Sequence, residues 1–155
     1  MTICVKGQEC LFGGIVSGEM RMNEAGRIVE NVWREMPQRF PSIRMDVFMI
    51  MPNHFHGILV IDKGVLGKGA ASSTPTFGMI MRAFKSSSAI GVNRVSGRHG
   101  MPVWQRNYYE RVIRNDDELH RARQYIRDNP MKWDQDRENP VNEPASSIAG
   151  LQRGR

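Results

Sequence analysis

Three groups of residues in this sequence have the types and spacing to do chemistry. The first is His54-Phe55-His56. On a β-strand, residues i and i+2 leave the same face, ~7 Å apart along the backbone. Both imidazoles then project side by side, and Phe55 turns the other way into a core. Neutral imidazole is a common ligand for divalent transition metals, and two histidines alone leave coordination positions open for substrate. Two histidines on a half-buried strand can also hydrogen-bond to water or backbone and bind nothing. The second group is Tyr125 and Asn129, one turn apart on one helical face, with Arg121 a turn earlier on the same row and Arg123 and Arg127 flanking it. A tyrosine is an acceptable nucleophile when a cation or base stabilises its phenolate. An asparagine amide oxygen is a hard ligand that suits Mg or Mn. Equally, a tyrosine on an amphipathic helix packs against a core. The third group is Trp104-Gln105-Arg106-Asn107-Tyr108-Tyr109. Aromatics interleaved with Arg can stack bases and contact phosphates, or alternate aromatics can fill the inner face of a sheet. Cys4 and Cys10 have no convincing partner, and Gly64, Gly67 and Gly69 lack the strand-to-helix context of a phosphate loop.

The elements that must position these groups follow from periodicity and punctuation. Residues 1–6 read as a short strand. Asn23 caps a helix to about Met36, with Ile28, Val29, Val32, Trp33 and Met36 at helical spacing and Pro37 close behind. Residues 43–51 form a strand with Ile43, Met45, Val47, Met49 and Met51 on one face; Pro52-Asn53 is a tight turn, and 54–62 is the partner strand. Residues 63–76, rich in Gly, Ser and Thr, are expected to be a mobile loop. A second helix starts near Phe77, with Ile80, Met81, Phe84 and Ser88 inward and Arg82 and Lys85 outward. Residues 103–113 are β-rich. A last helix opens at Asn115 or Asp116, where Asn115 and Glu118 have capping-box spacing, and ends near Asp128 before Pro130. The order is β-α-β-β-α-β-α. Its first six elements match a ferredoxin-like, split-βαβ plan of the α+β class, an antiparallel sheet with two covering helices, followed by a C-terminal helix that carries Tyr125. One domain over residues 1–134 and an irregular or disordered tail over 135–155 complete the expectation. Fold by itself assigns no function.

Composition narrows the partner. The chain has 155 residues, 40% hydrophobic and 25% charged, in the range of a soluble globular domain. It has no apolar run near the ~20 residues of a membrane helix, so no membrane partner is expected. The absence of a signal-peptide pattern and the presence of just two cysteines point to reduced thiols and a cytoplasmic protein. The formal charge is +6, but between Lys63 and Asn115 nine basic residues face Glu110 alone, so the rest of the chain is net acidic. A local excess of that size suggests a polyanion, most commonly nucleic acid, and is otherwise a solvated basic face.

Taken together, several runs resemble one family. Met49-Ile50-Met51-Pro52-Asn53-His54-Phe55-His56-Gly57-Ile58 is similar to the His-hydrophobe-His segment of the single-tyrosine HUH transposases, in particular the REP-associated tyrosine transposases. Trp104 to Glu110, Ile113-Arg114-Asn115, Tyr125-Ile126 and Asn129-Pro130 resemble the family's C-terminal half in order. Glu9 to Gly13 and the helix from Asn23 to Trp33 also resemble it, so the likeness spans about residues 2–134. The resemblance implies a ferredoxin-like sheet with His54 and His56 as the metal pair, Tyr125 as the nucleophile, and Asn129 as a third polar ligand where relatives often have Gln. It implies Mg or Mn as cofactor and transesterification of single-stranded DNA through a 5′-phosphotyrosine link, on hairpins from palindromic repeats. The basic segment and the last helix then furnish the DNA surface: Arg82, Lys85, Trp104, Arg106, Tyr108, Arg114 and Arg121. The resemblance leaves open whether the tyrosine helix acts in its own chain or across a homodimer. Arg111 stands where many relatives have His, and relatives carry more residues before the first strand, which implies a shortened copy. Two rivals remain: a rolling-circle initiator or relaxase with the same chemistry, and a non-catalytic or degenerate nucleic-acid-binding module of the same fold.

Overall fold

The computed structural model describes residues 1–62 and 74–142. The chain opens with β1 (Thr2–Cys4), then makes a hairpin that the reading above did not assign: β2 (Gly13–Val16) and β3 (Glu19–Met22). Its turn residues Ser17 and Gly18 have φ of 52° and 75°. That left-handed pair is what a two-residue hairpin turn needs to match the strands' twist. Helix α1 (Glu24–Arg39) starts where expected, the Asn23 side chain accepting from the Gly26 N–H at 2.9 Å. It runs past Met36, with Pro37 in its last turn. There the missing N–H removes a single bond near the helix end.

Strands β4 (Ile43–Ile50) and β5 (His54–Ile61) form the expected hairpin, with the Met51 N–H donating to His54 O at 2.8 Å across Pro52-Asn53. Their register shifts between Met45 and Phe48. This corrects the alternation expected for 43–51. The bulge at Asp46-Val47 flips the pleat, so Ile43, Met45, Phe48 and Ile50 face the core while Val47 and Met49 do not. Helix α2 (Phe77–Ser96) is capped by Thr76, and Ile80, Met81, Phe84 and Ser88 are all buried as expected. Helix α3 (Asp116–Asp128) is capped by Asn115, which accepts from the Glu118 N–H at 2.8 Å.

The sheet order is β1-β5-β4, all antiparallel. The segment after α2 lies along the free edge of β1 through two isolated bridges, Thr2 with Tyr109 and Val5 with Trp104. Between them β1 advances three residues and its neighbour five, so the expected 103–113 strand is realised only as an interrupted edge. Lys85 Nζ donates to the carbonyls of Gln105 and Arg106 at 2.7 and 3.0 Å, satisfying acceptors in that bulge. The fold is thus α+β with the ferredoxin-like strand order.

Three layers result. On one face α1 and α2 pack together over Phe55, whose ring lies 4.8 Å from Trp33 and 5.1 Å from Phe84, centroid to centroid. Gly57 keeps this contact open, since a Cβ there would meet the Phe55 ring at 2.8 Å and Trp33 at 3.1 Å. On the other face α3 packs against β4 and β5 and buries Ile126. It is pinned by a two-pronged ion pair, Arg123 Nε and Nη2 donating to Asp46 Oδ1 and Oδ2 at 2.9 and 2.6 Å. The packed chain also extends beyond the expected boundary at residue 134. Two 3₁₀ turns, Pro130–Gln135 and Pro140–Asn142, are tied down by Asn139 Nδ2 to Trp133 O and by Asn53 Nδ2 to Glu138 O. Most of the loop expected at 63–76 and the tail beyond Asn142 lie outside the described residues. Among the described residues, no helix is long and apolar enough to cross a membrane.

Candidate active and metal site

Strand pleat places the two imidazoles. Phe55 goes to the α1–α2 core, so His54 and His56 leave the opposite face, towards α3. Both are almost fully buried, and their Nε2 atoms face each other at 3.0 Å. The outer nitrogens are held as well. His54 Nδ1 is 2.8 Å from Asn53 Oδ1, and the Asn53 amide is oriented by donating from Nδ2 to Gln8 O and Glu138 O. With its Oδ1 thus an acceptor, His54 Nδ1 must carry the hydrogen, and its Nε2 presents a lone pair. His56 Nδ1 meets the Thr2 hydroxyl at 2.8 Å, a partner able to donate or accept. This is the arrangement in which an outer partner orients a metal-binding histidine.

Electrostatics keep these rings neutral. Burial, then the neighbouring His54 and the N-terminal ammonium, pushes His56 down to about 3. Burial also lowers His54, against the opposing field of Asp136 and Glu138. Neutral imidazoles are the ligating form. Asn129, which ends α3, lies against both rings and raises each of them, but burial outweighs it. Asn129 is 3% exposed; its Nδ2 donates to Tyr125 O at 3.4 Å, and its Oδ1 is buried with no hydrogen-bond partner. An orphaned buried carbonyl oxygen costs on the order of 1–3 kcal/mol unless something takes its lone pairs. Two imidazole nitrogens 3.0 Å apart and this oxygen suit a divalent cation, since adjacent donors about 2.1 Å from one octahedral ion stand about 3 Å apart. The set stays open: among the described residues no three of His, Cys, Asp and Glu form a metal cluster. Cys4 pairs with His54 in the sheet, and burial and then Glu138 raise its thiol to about 12.

Tyr125 completes the group. Its ring centroid is 5.5 Å from that of His56, edge to face, and the residue is 56% exposed. It lines an open groove of about 780 Å³ together with His54, His56 and Asn129. Tyr125 also lines a second cavity of about 350 Å³, with Tyr109, Arg111, Arg121 and Ile126 in its walls. The nucleophile expected from the resemblance therefore borders two hollows and lies next to the imidazole pair.

No protein-family model matches this chain. It is 39% identical to an uncharacterized protein of Haemophilus influenzae (strain ATCC 51907 / DSM 11121 / KW20 / Rd) over 150 residues, covering 88% of this chain and 81% of that one. The chain belongs to that protein's family. Among solved structures, it is similar to a REP-associated tyrosine transposase bound to a REP hairpin, with a TM-score of 0.60, 17% identity and 84% of this chain covered. The fold is shared with that protein, of whose length the matched region spans 64%.

The residues expected to contact DNA separate on this fold. Arg121 lines the second cavity, and Tyr108 lines the groove with its ring 5.8 Å from Phe77. Arg106 and Arg114 are exposed but line neither hollow; Arg82 is exposed on α2, in the layer beyond the sheet. Trp104 corrects the reading. It is 6% exposed, packs against Phe12 and Phe84, and donates its indole N–H to Ser88 Oγ at 2.9 Å, so its faces serve the core and not a base. Lys85 is also committed, its ammonium bound to two backbone carbonyls. Sequence reasoning missed Asn53, Thr2 and Asp136. Asn53 had a signal, being the polar residue next to His54 in the hairpin turn; Thr2 and Asp136 had none, since each meets the histidines only through long-range packing.

Proposed function

We propose that this chain is a metal-dependent single-stranded DNA endonuclease and strand transferase of the transposase type, acting through Tyr125. The observation that carries this reading is the convergence of His54 Nε2, His56 Nε2, the orphaned Asn129 Oδ1 and the exposed Tyr125 ring on one open groove. The shared fold with a tyrosine transposase bound to a REP hairpin supports repeat-derived hairpin DNA as the substrate. The local basic excess supports a polyanion.

His54, His56 and Asn129 would hold the ion. When bound there, Mg or Mn supplies Lewis-acid polarisation of a non-bridging phosphate oxygen. Asn53 and Thr2 hold the imidazoles in place. Tyr125 Oη attacks the scissile phosphorus and the bond to the 3′-oxygen breaks, leaving a 5′-phosphotyrosine; solvent takes the phenolic proton and supplies one to the departing 3′-oxygen, which becomes a free 3′-hydroxyl. A 3′-hydroxyl attacking the phosphotyrosine reverses the step, restoring a phosphodiester and the tyrosine, so joining needs no external energy source. The exposed arginines near the groove act on the DNA backbone.

The test is a repeat-derived hairpin strand with Mn. A covalent adduct is expected that EDTA prevents and Tyr125→Phe abolishes. An adduct surviving that change would move the nucleophile to Tyr108 or Tyr109. Salt-sensitive hairpin binding that ignores EDTA, with no cleavage, would make the chain a non-catalytic binding module.

A further inference from the structure

The groove holds a carboxylate that the two imidazoles and the amide do not account for. Asp136 Oδ2 stands 3.7 Å from His54 Nε2, the nitrogen that faces His56, and its side chain is 14% exposed. Its Oδ1 accepts the Glu138 N–H at 2.9 Å, which aims Oδ2 at the imidazole. We propose that Asp136 is the anionic partner of the cation site, setting its affinity for a hard divalent ion from just outside the His54, His56 and Asn129 donors; this rests on the metal-site reading above.

Charge is the first reason. The three inward-facing donors are all uncharged, in a chain of formal charge +6, and Lys132 and Arg137 line the groove beside Asp136 and Glu138, Glu138 being paired with Arg137. A dication among neutral donors and nearby cations is held weakly unless an anion offsets its charge. Asp136 is the carboxylate that stands beside the donor nitrogens. The second reason is that its position is built. Asn53 donates from one amide to Glu138 O at 2.6 Å while accepting from His54 Nδ1, so one side chain ties the strap carrying Asp136 to the histidine it faces. Asn142 adds a bond to Asp136 O at 3.0 Å. The third is the orphaned Asn129 Oδ1, 97% or so buried, which marks the same point as awaiting a ligand. Since no three of His, Cys, Asp and Glu form a cluster among the described residues, Asp136 acts through space or through a bridging water. A carboxylate oxygen also biases the choice towards Mg and Mn over softer ions.

The experiment titrates the full chain with Mn²⁺ and follows the free-ion signal by electron paramagnetic resonance. Asp136→Asn removes the charge and keeps an oxygen that accepts from the Glu138 N–H. Its Mn²⁺ affinity is expected to fall about tenfold or more, with the far-UV circular dichroism and melting of the cation-free protein unchanged. Asp136→Glu, which restores the charge, should recover much of the loss, and Glu138→Gln should change affinity by less than about threefold. An Asp136→Asn protein that binds Mn²⁺ within twofold of wild type overturns the proposal and leaves the metal site standing. A wild-type chain that takes up no Mn²⁺ sinks both.

Discussion

The two faces of strand β5 make a useful comparison. Towards α1 and α2, Phe55 is packed by Trp33, Phe84 and Phe48, with no polar atom among the rings that meet it except the Trp33 indole nitrogen. Towards α3, His54 and His56 are just as buried, yet they meet each other, Asn53, Thr2 and Tyr125 beside an open groove. The difference is one of partner type rather than depth. One face gains stability by excluding water from carbon. The other, on the function proposed above, holds neutral imidazoles and an unpaired amide oxygen at a cost in stability that a bound cation would offset.

Substitutions can break this comparison on either side. Phe55→Ala should cost about 3–5 kcal/mol by denaturant titration, because a ring central to the aromatic cluster leaves a cavity. A loss under 1 kcal/mol would mean the α1–α2 face is not the stabilising one. His56→Ala should do the reverse, lowering Mn²⁺ affinity by about 100-fold or more while the cation-free protein melts much closer to wild type than Phe55→Ala does. If the two variants are equally destabilised, the imidazole face is core after all.

Acid should also sort the faces. A histidine in the unfolded chain protonates near pH 6.5, whereas the fold lowers both imidazoles and takes His56 to about 3. Between those values the unfolded chain binds more protons, so native stability is full above about pH 6.5 and declines as pH falls. For His56 alone the loss by pH 5 is about 2 kcal/mol. Urea midpoints of cation-free protein at about pH 7.5 and pH 5 measure it, and a His54→Gln, His56→Gln double variant should show a flatter pH dependence. An unchanged slope would place the acid-sensitive groups elsewhere. The smallest effect belongs to the pin on α3. The Arg123 guanidinium holds the Asp46 carboxyl below its usual range, and Asp46→Asn should cost about 1 kcal/mol. Amide exchange should quicken in 116–128 before it does in α1; uniform quickening would show that α3 is not separately held.

Parts of this were legible early, and for local reasons. Asn23 and Asn115 cap helices because their oxygens reach an N–H three residues on, and such contacts are written in nearby letters. The β2–β3 hairpin also had local signs, the Ser17-Gly18 turn and the alternation of Glu19-Met20-Arg21-Met22, but each strand is only four residues long and β2 opens on two glycines. The bulge in β4 was hidden by methionines and other apolar residues at consecutive positions, which fit either pleat. Trp104 looked like a base-stacking residue because aromatic-basic interleaving is the same string whether the ring points in or out.

What the sequence alone determined is that His54 and His56 share a face opposite Phe55 and that Tyr125 and Asn129 share a helical face, since both follow from the fixed periods of strand and helix. Tertiary structure decided that these two faces meet, that Nε2 faces Nε2 at 3.0 Å, and that Asn53 and Asp136 close around them. The contacts that bring α3 and the strap to the strand join residues from 69 (His56 and Tyr125) to 85 (Asn53 and Glu138) positions apart, and no local rule sets such a meeting; it comes from how α3 and the strap after it pack on the sheet.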